Sequence, residues 1–194
     1  MKAKYIILLI FIAALTACIN NDDGKETPEP NPIQRGDIQA NRMIISFRPS
    51  SGGPIQNFEY YDPDGLGGAA PIKNDTWTLD FPGAGSSFKP YSALIKFYLD
   101  SLDVTSQIED KGMNYIVCYR EMNTKDLRIN DSNEDANGLK LGTETTWRTL
   151  SDPSSSTNGM GNVKITLNYI HLRKEGICDG GIRIFESTIN YRHQ

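Results

Sequence analysis

The sequence predicts an all-β domain over residues 39–194, an antiparallel β-sandwich of immunoglobulin-like or jelly-roll-like type. Three observations carry this. Apolar and polar residues alternate with period two in a series of short runs, the pattern of strands with one buried face. Gly, Pro, Asn, Asp and Ser clusters separate those runs as turn residues do. No segment keeps a helical spacing over several turns, so strands packed in two layers are the economical solution.

Taken in order, Met43, Ile45 and Phe47 alternate with Arg42, Ser46 and Arg48 to give the first strand, and Ser50-Ser51-Gly52-Gly53-Pro54 turns the chain. Ile55 to Tyr61 follows with Phe58 and Tyr60 on one side, ended by Asp62-Pro63-Asp64-Gly65-Leu66-Gly67-Gly68. Trp77, Leu79 and Phe81 form a third strand. Tyr91 to Leu99 is the longest apolar stretch of the domain, and its aromatic content favours strand over helix. Asp103 to Asp110 reads either as one helical turn capped by Asp103 or Thr105 or as a polar connection. Asn114 to Glu121 sets Tyr115, Val117 and Tyr119 against Ile116 and Cys118. Leu127 with Ile129 is brief, Thr143 to Leu150 is a weaker strand around Trp147, and Ser151 to Gly161 has the composition of a flexible hairpin loop. Val163, Ile165, Leu167 and Tyr169 make the clearest alternation of the chain, and Ile182, Ile184, Ser187 and Ile189 close it after the turn at Gly176 to Gly181. The count is roughly eight or nine short strands, with no internal repeat.

Ahead of the domain, residues 1–17 read as a signal peptide: Lys2 and Lys4 precede an apolar run that ends in small residues. The run falls short of the about 20 residues needed to span a bilayer, and Asn20-Asn21-Asp22-Asp23 follows in place of a basic flank. Leu15-Thr16-Ala17-Cys18 resembles the lipobox of bacterial lipoproteins, which implies cleavage before Cys18 and diacylglycerol on its sulfur. Each buried acyl methylene contributes about 0.8 kcal/mol, so two or three chains form a lasting membrane anchor. Residues 18–38 have little apolar content and carry Pro28, Pro30 and Pro32, the composition of a disordered or extended spacer. Its early acids resemble the export signal of surface lipoproteins in Bacteroidota-type bacteria. The expected location is the outer membrane, lipid-anchored, on the cell surface or the periplasmic face.

Loss of Lys2 and Lys4 moves the formal charge from -4 to -6. An acidic domain lacks the basic footprint of a nucleic-acid binder. With Cys18 lipidated, Cys118 and Cys178 remain. Outside the cytoplasm they either pair as a disulfide or stand as one buried strand cysteine and one loop cysteine.

Few residues read as chemistry. Gly65-Leu66-Gly67-Gly68-Ala69-Ala70 fits a dinucleotide fingerprint in spelling, but Pro71 and a strand follow where a helix must start. Asn133, Asp135, Asn137, Gly138 and Glu144 reproduce the oxygen spacing of a calcium loop, with Asn at the first position where Asp is usual. Calcium is the one cofactor expected to have a candidate site. Trp77, Trp147 and Tyr169 are candidate ligand-contacting aromatics, although alternation places most such rings in a core. His171 and His193 lack a ligand spacing, and no G-x-S-x-G nucleophile elbow occurs. Asp100-Ser101-Leu102 resembles a short O-glycosylation motif of secreted Bacteroidota-type proteins and equally reads as a capped turn.

The order of Asp62-Pro63-Asp64-Gly65-Leu66-Gly67-Gly68, Asp103-Val104-Thr105-Ser106-Gln107-Ile108, Asp135-Ala136-Asn137-Gly138-Leu139-Lys140-Leu141-Gly142 and Lys164-Ile165-Thr166-Leu167-Asn168-Tyr169 resembles the small Bacteroidota-type outer-membrane lipoproteins of unknown function, labelled as a "type 1 periplasmic-binding fold superfamily" and often encoded near TonB-dependent receptors. The chain departs from that pattern at Met113-Asn114 and Asn168-Tyr169, where the family carries histidines, so a histidine ligand role does not transfer. The label implies an α/β fold with crossover helices, against the period-two reading. Together these expectations describe a non-enzymatic accessory or binding subunit of a TonB-dependent nutrient-uptake system. Its partners would be an outer-membrane receptor and a glycan or peptide ligand. A carbohydrate-binding module and an adhesin or pilus-like subunit are the alternatives.

Overall fold

A computed structural model of the chain describes residues 37–79, 90–122, 127–149, 160–171, 174, 178 and 180–193, all within the unit Pro32–Gln194. Its strands are β1 (Arg42–Pro49), β2 (Gln56–Tyr61), β3 (Lys73–Asn74), β4 (Thr76–Leu79), β5 (Pro90–Leu99) and β6 (Leu102–Asp103). Then come helix α1 (Thr105–Asp110), a 3-10 turn at Gly112–Asn114, and β7 (Tyr115–Glu121), β8 (Leu127–Asp131), β9 (Glu144–Thr149), β10 (Met160–Tyr169) and β11 (Ile182–His193).

The strands form two sheets. The larger runs β3-β2-β1-β5-β9-β8 with β6 beside β5, and the smaller runs β4-β11-β10-β7. The fold is all-β, as the alternation predicts, and its sheets pack as in a sandwich; the α/β architecture carried by the family label is not found in the described residues. In β1, Met43, Ile45 and Phe47 turn inward. In β5, Tyr91, Ala93, Ile95 and Phe97 do the same. From the smaller sheet Val163, Ile165, Leu167, Phe185, Ile189 and Tyr191 join them in one core. The two faces touch through rings: Phe185 of β11 meets Tyr60 of β2 at 5.6 Å and Phe97 of β5 at 5.5 Å, both edge-on.

Every strand pair is antiparallel except β4 with β11. The exception has a local cause. Only Asp75 separates β3, on the edge of the larger sheet, from β4, on the edge of the smaller one, so the chain changes sheets without reversing direction. Asp75 holds the crossing by accepting from the Glu59 N–H at 3.1 Å and donating its own N–H to Glu59 O at 3.2 Å.

Several expected details change. β3 and β6 have two residues each, too few for a period, and bring the number of strands among the described residues to eleven. In β11 the inward positions shift parity because Ile184 has no partner while Leu167 faces Phe185 and Asn168 faces Arg183, a bulge that buries Ile184 beside Phe185. Asp103 to Asp110 contains a six-residue helix; Thr105 does not cap it, whereas Asp103, one place before the cap position, accepts from the Thr105 N–H at 2.9 Å. The cap is Val104 with no side-chain bond, and Thr105 Oγ1 instead accepts from the Phe97 N–H at 2.9 Å. Phe81 and most of the Ser151 to Gly161 loop lie outside the described residues; Gly161 itself belongs to β10. Asp100-Ser101 forms the tight turn between paired Leu99 and Leu102, with Asp100 at φ 55 and clamped by Asn41.

The domain begins earlier than residue 39. Ile38, expected in the spacer, is buried and donates its N–H to the Tyr115 hydroxyl at 3.2 Å. Asp37 pairs with Lys111 and accepts from that same hydroxyl at 2.9 Å. Lys111 and then Tyr115 hold the Asp37 carboxyl below its ordinary range.

Candidate functional site

The outer face of the larger sheet carries a cavity of about 470 Å³. Strand order builds it. Register places Asn57 (β2), Ser46 (β1), Leu94 (β5) and Glu144 (β9) in one row across four strands, and Arg48, Ser92 and Thr146 in the next. Small serines in the middle rows leave a trough, with Ile55 and Leu94 as its apolar flanks. Ser46 Oγ donates to Asn57 Oδ1 at 2.7 Å, which turns the amide's N–H donors outward as free valences. Arg48 and Glu144 have no side-chain partner among the described residues and stand diagonally, two strand spacings across and one row along, roughly 12 Å apart at the backbone. The trough therefore offers hydroxyl, amide, guanidinium and carboxylate groups with no net charge. Such a set can both donate and accept hydrogen bonds.

The sequence-predicted sites fall elsewhere. Trp77 and Trp147 are not ligand platforms: both are 0 % exposed. Trp77 stacks on Phe47 with centroids 3.7 Å apart, and Trp147 stands edge-on to Phe47 at 5.0 Å and to Trp77 at 5.6 Å. Alternation points both indoles inward, where each removes a large apolar area from water. Trp147 Nε1 donates to Thr145 Oγ1 at 2.8 Å. Tyr169 is half-buried, packed on the core with its ring 5.3 Å from Tyr115 and 6.3 Å from exposed His171. The side chain of His193 and all of Cys18 lie outside the described residues.

The expected calcium ligands Asn133, Asp135, Asn137 and Glu144 do not form a cage. Asn133 Oδ1 accepts from the Gly142 and Glu144 N–H groups, each at 3.1 Å, and Asp135 Oδ1 accepts from Asn137 and Leu139 at 2.8 and 2.9 Å. The side chain of Glu144 belongs to the trough on β9. Among the described residues no three His, Cys, Asp or Glu gather as metal donors. What meets Asp135 is a cation supplied by the chain. Lys174 Nζ lies 2.8 Å from Asp135 Oδ2, with both side chains 1 % exposed. Its three N–H donors reach Gly112 O at 2.8 Å, Lys140 O at 2.9 Å and Tyr115 O at 3.2 Å. Gly142 completes the loop at φ +85, where a Cβ would sit 2.5 Å from Val117 O.

Burial pushes the Asp135 carboxyl up, but Lys174 and the Leu139 and Asn137 N–H groups outweigh it and hold the group below its ordinary range. A carboxylate whose folded pKa is lowered contributes stability that is complete above its unfolded pKa of about 4 and is lost as pH falls through the folded value. Urea midpoints are thus expected to stay level from about pH 7 to 5 and to fall below about pH 4. A variant with Asp135→Leu and Lys174→Met together should lose part of that acid slope.

Cys118 and Cys178 are joined, with Cα atoms 5.7 Å apart. Cys118 lies on the outer face of β7 and Cys178 is exposed, so the bond ties Cys178 to the smaller sheet. The sequence separation is 60, and closing a loop of that length removes about 4 kcal/mol of unfolded-chain entropy. Cys178→Ser is expected to lower unfolding free energy by about that amount. Reductant should then destabilise the natural protein but leave the variant unchanged.

Sequence reasoning missed Lys174 and the trough. A lysine between Arg173 and Glu175 has the spelling of a solvated turn. The trough residues are outward positions of separate strands whose adjacency follows from sheet order. Among the described residues no helix is long and apolar enough to cross a membrane. Comparison of the chain with protein-family models, with curated proteins and with solved structures finds no match.

Proposed function

We propose that this chain is a lipid-anchored outer-membrane binding protein, held through Cys18, whose domain takes a neutral polar ligand on the outer face of the larger sheet. The trough of Asn57, Ser46, Arg48, Ser92 and Glu144 carries the reading. It has the concave form and mixed donors and acceptors of a recognition site. Hydroxyl-rich saccharides suit it best, because Arg, Glu and Asn side chains each engage paired hydroxyls with two hydrogen-bonding atoms. In this role the protein is a non-catalytic accessory subunit of a nutrient-uptake complex at the outer membrane, presenting ligand to a receptor. Buried Trp77 and Trp147 remove the stacking platform from the carbohydrate reading and leave hydrogen bonding as its basis.

The test uses the full chain in detergent micelles on a glycan array. Binding to a restricted set of glycans is expected, and Ser92→Trp, which fills the trough from an exposed position, should abolish it with an unchanged melting temperature. An array without signal sinks the ligand class. Cys18→Ser protein that still fractionates with membranes sinks the anchor. Co-purification with an outer-membrane receptor under gentle detergent supports the accessory role, and recovery alone counts against it.

A further inference from the structure

The smaller sheet has an uncovered lane. β10 pairs with β11 from Ile182 to Arg192, but on the opposite edge β4 covers only Asn190 to His193. Among the described residues no backbone hydrogen bond outside the β10 ladder reaches residues 182–189. Space lies beside that edge: a cavity of about 330 Å³ has Glu186, Ser187 and Thr188 along one wall. Three consecutive strand residues share one cavity through their backbone edge, because their side chains alternate between faces. Ser187 points into the core, 1 % exposed and with Oγ 3.6 Å from Met43 Sδ, while Glu186 points outward to Lys164 at 2.7 Å. The cavity therefore sees the edge of β11 itself.

The facing wall is the loop from Gly65 to Ala69. Gly65 and Gly67 take φ +71 and +87 with open space where a Cβ would stand, and Asp64 Oδ2 pins the Ala69 N–H at 3.2 Å. Tyr60, Asp62 and Asn74 line the rest. The Asp62 main-chain N–H is held by Asn41 O at 2.9 Å, but its carboxylate Oδ1 is buried without a hydrogen-bond partner. The slot is electronegative: burial and then the Asp62 and Glu186 carboxylates raise the Tyr60 phenol above its ordinary range. Glu186 is already paired with Lys164 and Arg183, whereas Asp62, which shares a side-chain hydrogen bond with the Tyr60 phenol, has no cation beside it among the described residues.

We propose that this lane docks a short extended segment of a partner protein, added to the smaller sheet beside β11 in line with β4, with a lysine or arginine of the segment set against Asp62. Main-chain bonding to an open edge supplies affinity, and the acid supplies selectivity. The loop that blunts the edge against indiscriminate pairing also forms the far wall of the slot.

The experiment selects phage-displayed random octapeptides against the full chain in detergent micelles, with bare micelles as the control. Enriched peptides should carry a basic residue, slow amide hydrogen exchange across residues 182–189 at least tenfold, and bind Asp62→Asn protein about tenfold more weakly. The proposal is overturned by a selection with no enrichment over the control, by peptides that leave exchange at 182–189 unchanged, or by binding that survives Asp62→Asn at full strength. Slow exchange in the free protein at those amides of 182–189 that point away from β10 overturns it as well, since the edge would then already be paired.

Discussion

Lys174→Met is expected to destabilise the domain by about 3–5 kcal/mol, enough to unfold a domain of ordinary stability near its working temperature. The change removes the ammonium but leaves Asp135 Oδ2 at 1 % side-chain exposure, with no cation beside it, and takes one donor from each of the carbonyls of Gly112, Tyr115 and Lys140. A charge stripped of its partner away from water is what makes single removals costly. Asp135→Leu should harm the domain comparably by stranding the ammonium. The double change, Asp135→Leu with Lys174→Met, should recover most of the loss, because apolar groups of similar volume often replace a buried ion pair at little cost. Urea unfolding of the three variants forms a double-mutant cycle. Additive losses would sink the account, since they would mean that the two groups act separately.

Trp77→Ala should cost about 3–5 kcal/mol. Its indole stacks on Phe47, stands edge-on to Tyr91 at 5.4 Å and to Trp147 at 5.6 Å, and joins β4 to the core of both sheets. Truncation empties the middle of that cluster, and the short β4 has few other anchors. A finer contrast separates the two indoles. Trp77 Nε1 is buried without a hydrogen-bond partner, whereas Trp147 Nε1 donates to Thr145 Oγ1. Trp77→Phe therefore loses volume alone and should cost less than Trp147→Phe, which also removes one hydrogen bond from the buried Thr145 hydroxyl, at about 1 kcal/mol, and leaves it the bond to Tyr119. Equal losses for the two phenylalanine variants, read from chemical denaturation, would contradict this account.

The alternation that predicted β1, β5, β7 and β10 is legible because each strand turns one face to the core, and a buried face leaves a period in the sequence. That same signal fails where its premise fails. Residues Tyr115 to Cys118 are all buried, so the first half of β7 shows no alternation of burial to match its sequence. The bulge at Ile184 resets the parity of β11 in mid-strand. The loop from Asn133 to Gly142 spelled a cation site, and the structure places a cation against it; the cation is Lys174, whose approach depends on how β10 and its following segment cross β7. Trp77 and Trp147 were legible as aromatic strand residues, but alternation gives relative sides only, and their inward direction comes from the sheet packed opposite. The trough and the lane beside β11 were illegible for a common reason. Both are made by neighbours in sheet order, and sheet order is long-range information that no local pattern holds.

The place of β11 in the smaller sheet bears on how the chain comes to be folded at all. It comes last in chain order among the described strands, yet it occupies an interior position, between β4 and β10. Thr76 must wait for Asn190 before it has a neighbour to zip with, so the smaller sheet stays open until β11 has been made, and such distant pairing is slow to nucleate. A product cut short before β11 would expose two raw edges at once, and would be a substrate for proteases and chaperones in place of a weakened native protein.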